Sequence, residues 1–166
     1  MTQPIFRWET LRDVSSRVLR FEEELHGVTM EVDLISGNRI LLFRADDRVS
    51  YFCHGLTFGG KHAPGGPVSP YSGASVKTIL DDFYFAVSPE SAAKESDIVV
   101  WANAQGSPIH TAILLKPVMT PGSDRLDYAT VIRSKNEICA EADVTLESLV
   151  AGDESYGESY RVYRRH

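Results

Sequence analysis

The sequence predicts an α+β fold, and three observations lead there. Apolar residues recur at helical spacing early in the chain, over 8–25 and again over 75–83. From residue 97 onward, short apolar and alternating runs separated by polar turns read as strands. Helical elements first and an antiparallel meander later is the order of an α+β domain, not of repeated βαβ units. A chain of 166 residues, 43% of them apolar, is enough for one domain with a filled core. The reading is a single domain over 1–166, with an N-terminal helix and hairpin extension over 1–45 and a core over 46–166.

Each element has its own signal. In "WETLRDVSSRVLRFEEEL" (8–25), Leu11, Val14, Val18, Phe21 and Leu25 fall on one helical face, with Thr10 near the start as a cap. "VTMEVDLI" (28–35) alternates Val28, Met30, Val32 and Leu34. "SGN" supplies a turn, and "RILLFRA" (39–45) completes a hairpin. "RVSYFCHGLTF" (48–58) begins strand-like and becomes helix-like. "GGKHAPGGPVSPYSGA" (59–74) holds five glycines and three prolines and reads as a loop, long enough to carry function. "SVKTILDDF" (75–83) is a short helix with Ser75 as its cap, "YFAV" (84–87) a strand, and "SPESAAKES" (88–96) a short helix with proline in its first turn. "DIVVWAN" (97–103), "IHTAILLKP" (109–117) and "DYATVIRSKN" (127–136) are strands. "TLESLVAG" (145–152) is a helix started by Thr145 and stopped by Gly152, and "SYRVYRR" (159–165) is a last strand.

Composition narrows the function. The net charge of −6 and pI near 5.3 come with no basic patch, which argues against nucleic acid as a partner. "RVYRRH" is basic, but it reads as a solvated strand end. No apolar run approaches the ~18 residues of a membrane span, and "MTQPIFRWETLRDV" has no secretory apolar region. The default location is cytoplasmic, and export by a signal-independent apparatus is compatible with the same features. Two cysteines are too few for a disulfide framework, no paired metal-ligand spacing occurs, and nothing calls for a cofactor. The sequence does not set the oligomeric state.

The chemistry centres on Cys53 in "SYFCHGLTFGG". A nucleophilic cysteine needs a lowered pKa and access. A helix start lowers the pKa, a histidine stabilises the thiolate, and Gly55 leaves room for a substrate backbone. His54 follows Cys53 directly, so on a helix its side chain points about 100° away and it shapes the site rather than acting as base. His62 lies in the loop, His26 follows the first helix and His166 ends the chain. His110 begins a well-formed strand, which is a rigid place for a general base. It shares a face with Ala112 and Leu114. On the next strand Ser134 is the first choice for the polar group that orients His110, with Asn136 and Glu137 as alternatives. Cys139 reads as a structural thiol.

The ordered set "FCHGLTF", "SDIVVWAN", "SPIHTAILLKP" and "ATVIRSKNE" resembles the NlpC-type branch of the papain-like cysteine peptidases and amidases. The resemblance runs over roughly 48–165. It departs from that pattern where Ser96–Asp97 replaces a usual Gly-Asp and where Glu137 stands in place of a common glycine. The resemblance implies a nucleophile helix packed on an antiparallel sheet. It implies thiol hydrolysis of an amide bond in a peptide or other amide substrate, with Cys53 attacking, His110 moving the proton and Ser134 orienting it. The Cys53 N–H would stabilise the oxyanion, and Tyr51 is the nearest upstream residue to assist. The alternative is a catalytically inactive papain-like binding or structural module.

Overall fold

A computed structural model describes residues 14–34, 36–63, 66–135, 140–151 and 155–166. These residues form two antiparallel sheets. The first runs in the order β1 (Val14–Glu24), β2 (Gly27–Leu34), β3 (Arg39–Ala45), β4 (Val68–Pro70). The second has six strands. β5 (Tyr84–Ala86) lies at one edge, followed by β10 (Tyr160–Arg165), β6 (Ile98–Ala102), β7 (Pro108–Lys116), β8 (Val131–Lys135) and β9 (Glu141–Thr145). Three α-helices join them: α1 (Cys53–Thr57), α2 (Gly73–Phe83) and α3 (Leu146–Val150).

This corrects the expected α+β arrangement of a papain-like nucleophile helix on one sheet with an N-terminal helix beside it. The described chain is mostly antiparallel β, ten strands in two sheets, and its helices have only 5, 11 and 5 residues. Where a helix was expected over 8–25, residues 14–24 form β1, paired with β2 so that Phe21 sits opposite Met30 and Glu24 opposite Gly27. Helical spacing loses there because β2 offers a ladder for the backbone of the whole segment, while Leu25, counted in the apolar stripe, falls in the turn and is 82% exposed. His26 takes a φ of 68° to close that turn. Residues 8–13 lie outside the described residues.

Smaller differences have local causes. The glycine-rich stretch is not all loop. It contains a 3₁₀ turn at Gly60–His62 and β4, an edge strand that tolerates Pro70 because its outer side needs no ladder bond. α2 begins at Gly73, and its cap is Ser72, whose hydroxyl accepts from the Ser75 N–H at 3.1 Å. The Ser75 hydroxyl accepts instead from the Leu41 N–H at 2.8 Å and ties α2 to β3. The expected helix over 88–96 reduces to a 3₁₀ turn at Glu90–Ala92. The sequence carries no strand signal for β9, because its residues are polar and mostly on the surface.

Two apolar cores flank the second sheet, and β6 serves both. Ile98 and Val100 pack with Val32, Leu42 and Ile79 on one face, and Val99 and Trp101 with Ala112, Leu114, Ile132 and Val162 on the other. A strand buried on both faces reads as a continuous apolar run, as "IVVW" does. At the head of β6, buried Asp97 accepts from Arg164 Nε at 2.8 Å and Nη2 at 2.7 Å, locking β6 to β10. Buried α1 lies against β7 and β8 on one side and β4 on the other, so its first residue sits where the two sheets meet.

Candidate thiol site

The segment leading to Cys53 is pinned from three strands. Asp47 accepts from the N–H groups of Val49 and Ser50 at 2.8 and 2.7 Å, which holds its carboxyl below the usual range. Buried Lys135 on β8 donates to the Val49 carbonyl at 2.9 Å and stands over the Tyr51 ring. The Tyr51 hydroxyl donates to Glu141 of β9 at 2.7 Å, and Lys61 donates to the same oxygen at 2.7 Å. The Phe52 N–H reaches Ser69 Oγ of β4 at 3.0 Å. Phe52 is extended, and the chain turns into α1 at Cys53.

Gly55 does not leave space for a substrate. A Cβ there would fall 2.3 Å from Ser69 Oγ and 3.0 Å from the Val68 carbonyl oxygen, so the missing side chain admits β4. Tyr51, expected near an oxyanion, is committed to Glu141 and does not line the cleft beside Cys53.

That cleft has a volume of about 440 Å³ and is lined by Phe52, Cys53, His54, Pro70, Tyr71, Ile109, His110 and Tyr156. Alternation along β7 splits its residues between two faces. His110 points with Ala112 and Leu114, against Trp101 and within 2.9 Å of Ser134 Oγ through Nε2. The Tyr156 ring lies flat on the imidazole, with centroids 3.9 Å apart and planes 4° apart. Since Nε2 is occupied by Ser134, Nδ1 is the other nitrogen of the ring. Thr111 points the opposite way, toward α1, and its hydroxyl is hydrogen-bonded to His54 Nδ1 at 2.8 Å. The same Nδ1 lies 3.6 Å from Cys53 Sγ.

His54 therefore does not point away from the thiol. The 100° rotation holds for the Cα–Cβ bonds, but the imidazole swings back across the first turn toward Thr111. Among the described residues this is the hydrogen bond the sulfur makes to a histidine, and none joins Cys53 to His110. Asn136, Glu137 and Cys139 lie outside the described residues.

Burial governs the electrostatics. It pushes the Cys53 thiol up, against the opposing pull of N–H groups of Thr111, His54 and Cys53 itself and of the Thr111 hydroxyl. The helix start does not win, because α1 has five residues and is enclosed on all sides. Burial pushes His54 down to about 4 and His110 down to about 3, the latter aided by the neighbouring His54. At neutral pH the site holds a thiol and two uncharged imidazoles, not a thiolate–imidazolium pair.

Thr111, Tyr156, Phe52 and Ile109 complete the site with no role assigned from the sequence, whereas Tyr71 belongs to the glycine-rich stretch read there as a loop that could carry function. Thr111 left a faint signal, a hydroxyl on a strand among apolar neighbours at the position after His110. Tyr156 left none, since it reaches His110 from a distant segment. Among the described residues, no cluster of three or more His, Cys, Asp or Glu side chains is placed to hold a metal ion, and no helix is long and apolar enough to cross a membrane. No family model, curated protein or solved structure matches this chain.

Proposed function

We propose that this protein is a thiol hydrolase acting on an amide bond of a peptide or related amide. The observation that supports the reading most is that Cys53 and His110 line one cleft while Ser134 Oγ lies 2.9 Å from His110 Nε2. Because the resting groups are uncharged, the proton moves during attack rather than before it. Cys53 Sγ, which makes no hydrogen bond to His110 at rest, adds to the carbonyl carbon as its proton crosses the shared cleft to His110, and the oxyanion faces the Cys53 N–H. Collapse expels the amine, which takes the proton from His110 and leaves a thioester. Water, deprotonated by His110, hydrolyses the thioester and regenerates the thiol. His54 and Thr111 orient the sulfur.

The test is a burst of p-nitrophenol from p-nitrophenyl acetate, with mass spectrometry to locate the acetyl group. The expected result is acetyl on Cys53, lost in Cys53→Ala, with acylation slowed on the order of 10²–10⁴-fold in His110→Ala and less in Ser134→Ala. An unmodified Cys53, or an unchanged rate in His110→Ala, overturns the reading. A second reading, a non-catalytic binding module, draws on the buried, protonated thiol and its contact with His54 in place of His110. It predicts no acyl adduct on Cys53 at any pH the fold tolerates.

A further inference from the structure

The remaining walls of the cleft bear on which acyl group it takes. Phe52, Pro70 and Tyr71 come from the first sheet and its approach to α1, and Ile109 and Tyr156 from the second-sheet side. None of the eight lining residues is an acid, a lysine or an arginine. Tyr71 and Ile109 are 41% and 45% exposed, although both are large apolar side chains beside a nucleophile. Such exposure occurs elsewhere on this protein too, at Leu25 and Val49 among others; what sets Tyr71 and Ile109 apart is that both line the cleft of Cys53, where apolar walls suit an apolar ligand group.

These walls are also held in place. The Tyr71 ring packs on Phe43 and Phe52 with centroids 5.7 and 6.1 Å apart, and the Tyr71 N–H donates to the Leu41 carbonyl at 2.9 Å. Tyr156 is stacked on His110, and Ile109 stands on β7 beside it. A preformed slot takes an acyl group without the cost of ordering its own walls. The protein's net charge of −6 adds a long-range term against anionic substrates.

We propose that the site selects acyl groups with an uncharged apolar side chain, aromatic ones above all, which lies between Tyr71 and Ile109 while the carbonyl meets Cys53. This rests on the acyl-transfer reading above. It names a specificity the sequence did not show and assigns Tyr71 and Ile109 to substrate selection.

A panel of p-nitrophenyl esters tests it, with each kcat/KM divided by the rate of the same ester with free cysteine. The panel holds acetyl, butanoyl, phenylacetyl and succinyl esters, succinyl being the anionic counterpart of butanoyl. Each methylene buried in the slot is worth about fourfold, so butanoyl, with two more than acetyl, exceeds it by about fifteenfold and phenylacetyl exceeds both. Succinyl falls below butanoyl by at least that factor. Ile109→Ser and Tyr71→Ser each bring the phenylacetyl-to-acetyl ratio toward one. Equal corrected rates for acetyl and phenylacetyl, or succinyl outpacing butanoyl, overturn the specificity while leaving acyl transfer intact. If no ester acylates Cys53, the acyl-transfer reading falls, and the specificity falls with it.

Discussion

Two buried, uncharged imidazoles make the fold sensitive to mild acid, and the size of the effect follows from their pKa values. His54 and His110 sit at about 4 and about 3 in the folded protein, against an ordinary 6.5, chiefly through burial. A histidine depressed in this way stays uncharged in the fold while the unfolded chain takes up protons. Its contribution is therefore fully present above pH 6.5 and is lost as pH falls from 6.5 toward the folded values. Between pH 7 and pH 5, each histidine costs about 2 kcal/mol, at 1.36 kcal/mol per pH unit below the unfolded pKa. The pair costs about 4 kcal/mol, a large share of the 5–15 kcal/mol that holds a domain of this size. Asp47, Asp127, Glu141 and Asp143, all lowered in the fold, act in a separate window below their ordinary 3.8–4.5. Urea unfolding at half-unit steps from pH 7 to pH 5 checks the prediction. The wild type should lose about 4 kcal/mol, and His110→Gln and His54→Gln should each lose about half as much over the same range, whatever their stability at pH 7. A wild-type stability that changes by less than about 1 kcal/mol, or a His110→Gln variant with the full slope, refutes the argument.

Two backbone predictions stand beside it. Gly55→Ala forces a Cβ against Ser69 Oγ and the Val68 carbonyl, and should destabilise by about 1–3 kcal/mol. An unchanged urea midpoint counts against the close approach of α1 and β4. Ser96 holds a φ of 74° at the head of β6, where a side chain costs about 1–2 kcal/mol and glycine's extra entropy about 0.5–1. Ser96→Gly should therefore raise the melting temperature, and a fall contradicts the strain.

Some of this was legible in the sequence because period-2 alternation survives burial. β6, β8 and β10 lie within the strands read there and β7 begins one residue earlier, at Pro108, and alternation alone places His110 and Ser134 on faces that can meet. The helix start at Cys53 was legible too, from the change of pattern after Phe52. What failed depended on partners. Residues 14–24 satisfy a helical template, yet β2 claims them as a strand. β4 is three residues with a terminal proline, too short for any periodic signal. The ionisation of Cys53 is not legible in the sequence because a helix start is a local feature, while burial comes from packing against β4 and the distant β7. Ser96 is the instructive departure. Nothing in the residues around Ser96 announces its positive φ, a backbone conformation that glycine adopts more readily than serine.

The place of β10 has a consequence for how the chain reaches this state. β10 lies between β5 and β6, and its residues pair with partners some 60 to 80 positions away in sequence. Until residues 160–165 dock, β5 and β6 each present an open row of backbone donors and acceptors, and Asp97 is without Arg164. Contacts of such separation close slowly, because the intervening chain must be ordered before they bring any return. Refolding should thus stall on a state whose hairpins are formed but whose six-stranded sheet is still split, and the exposed edges of that state are where self-association would begin.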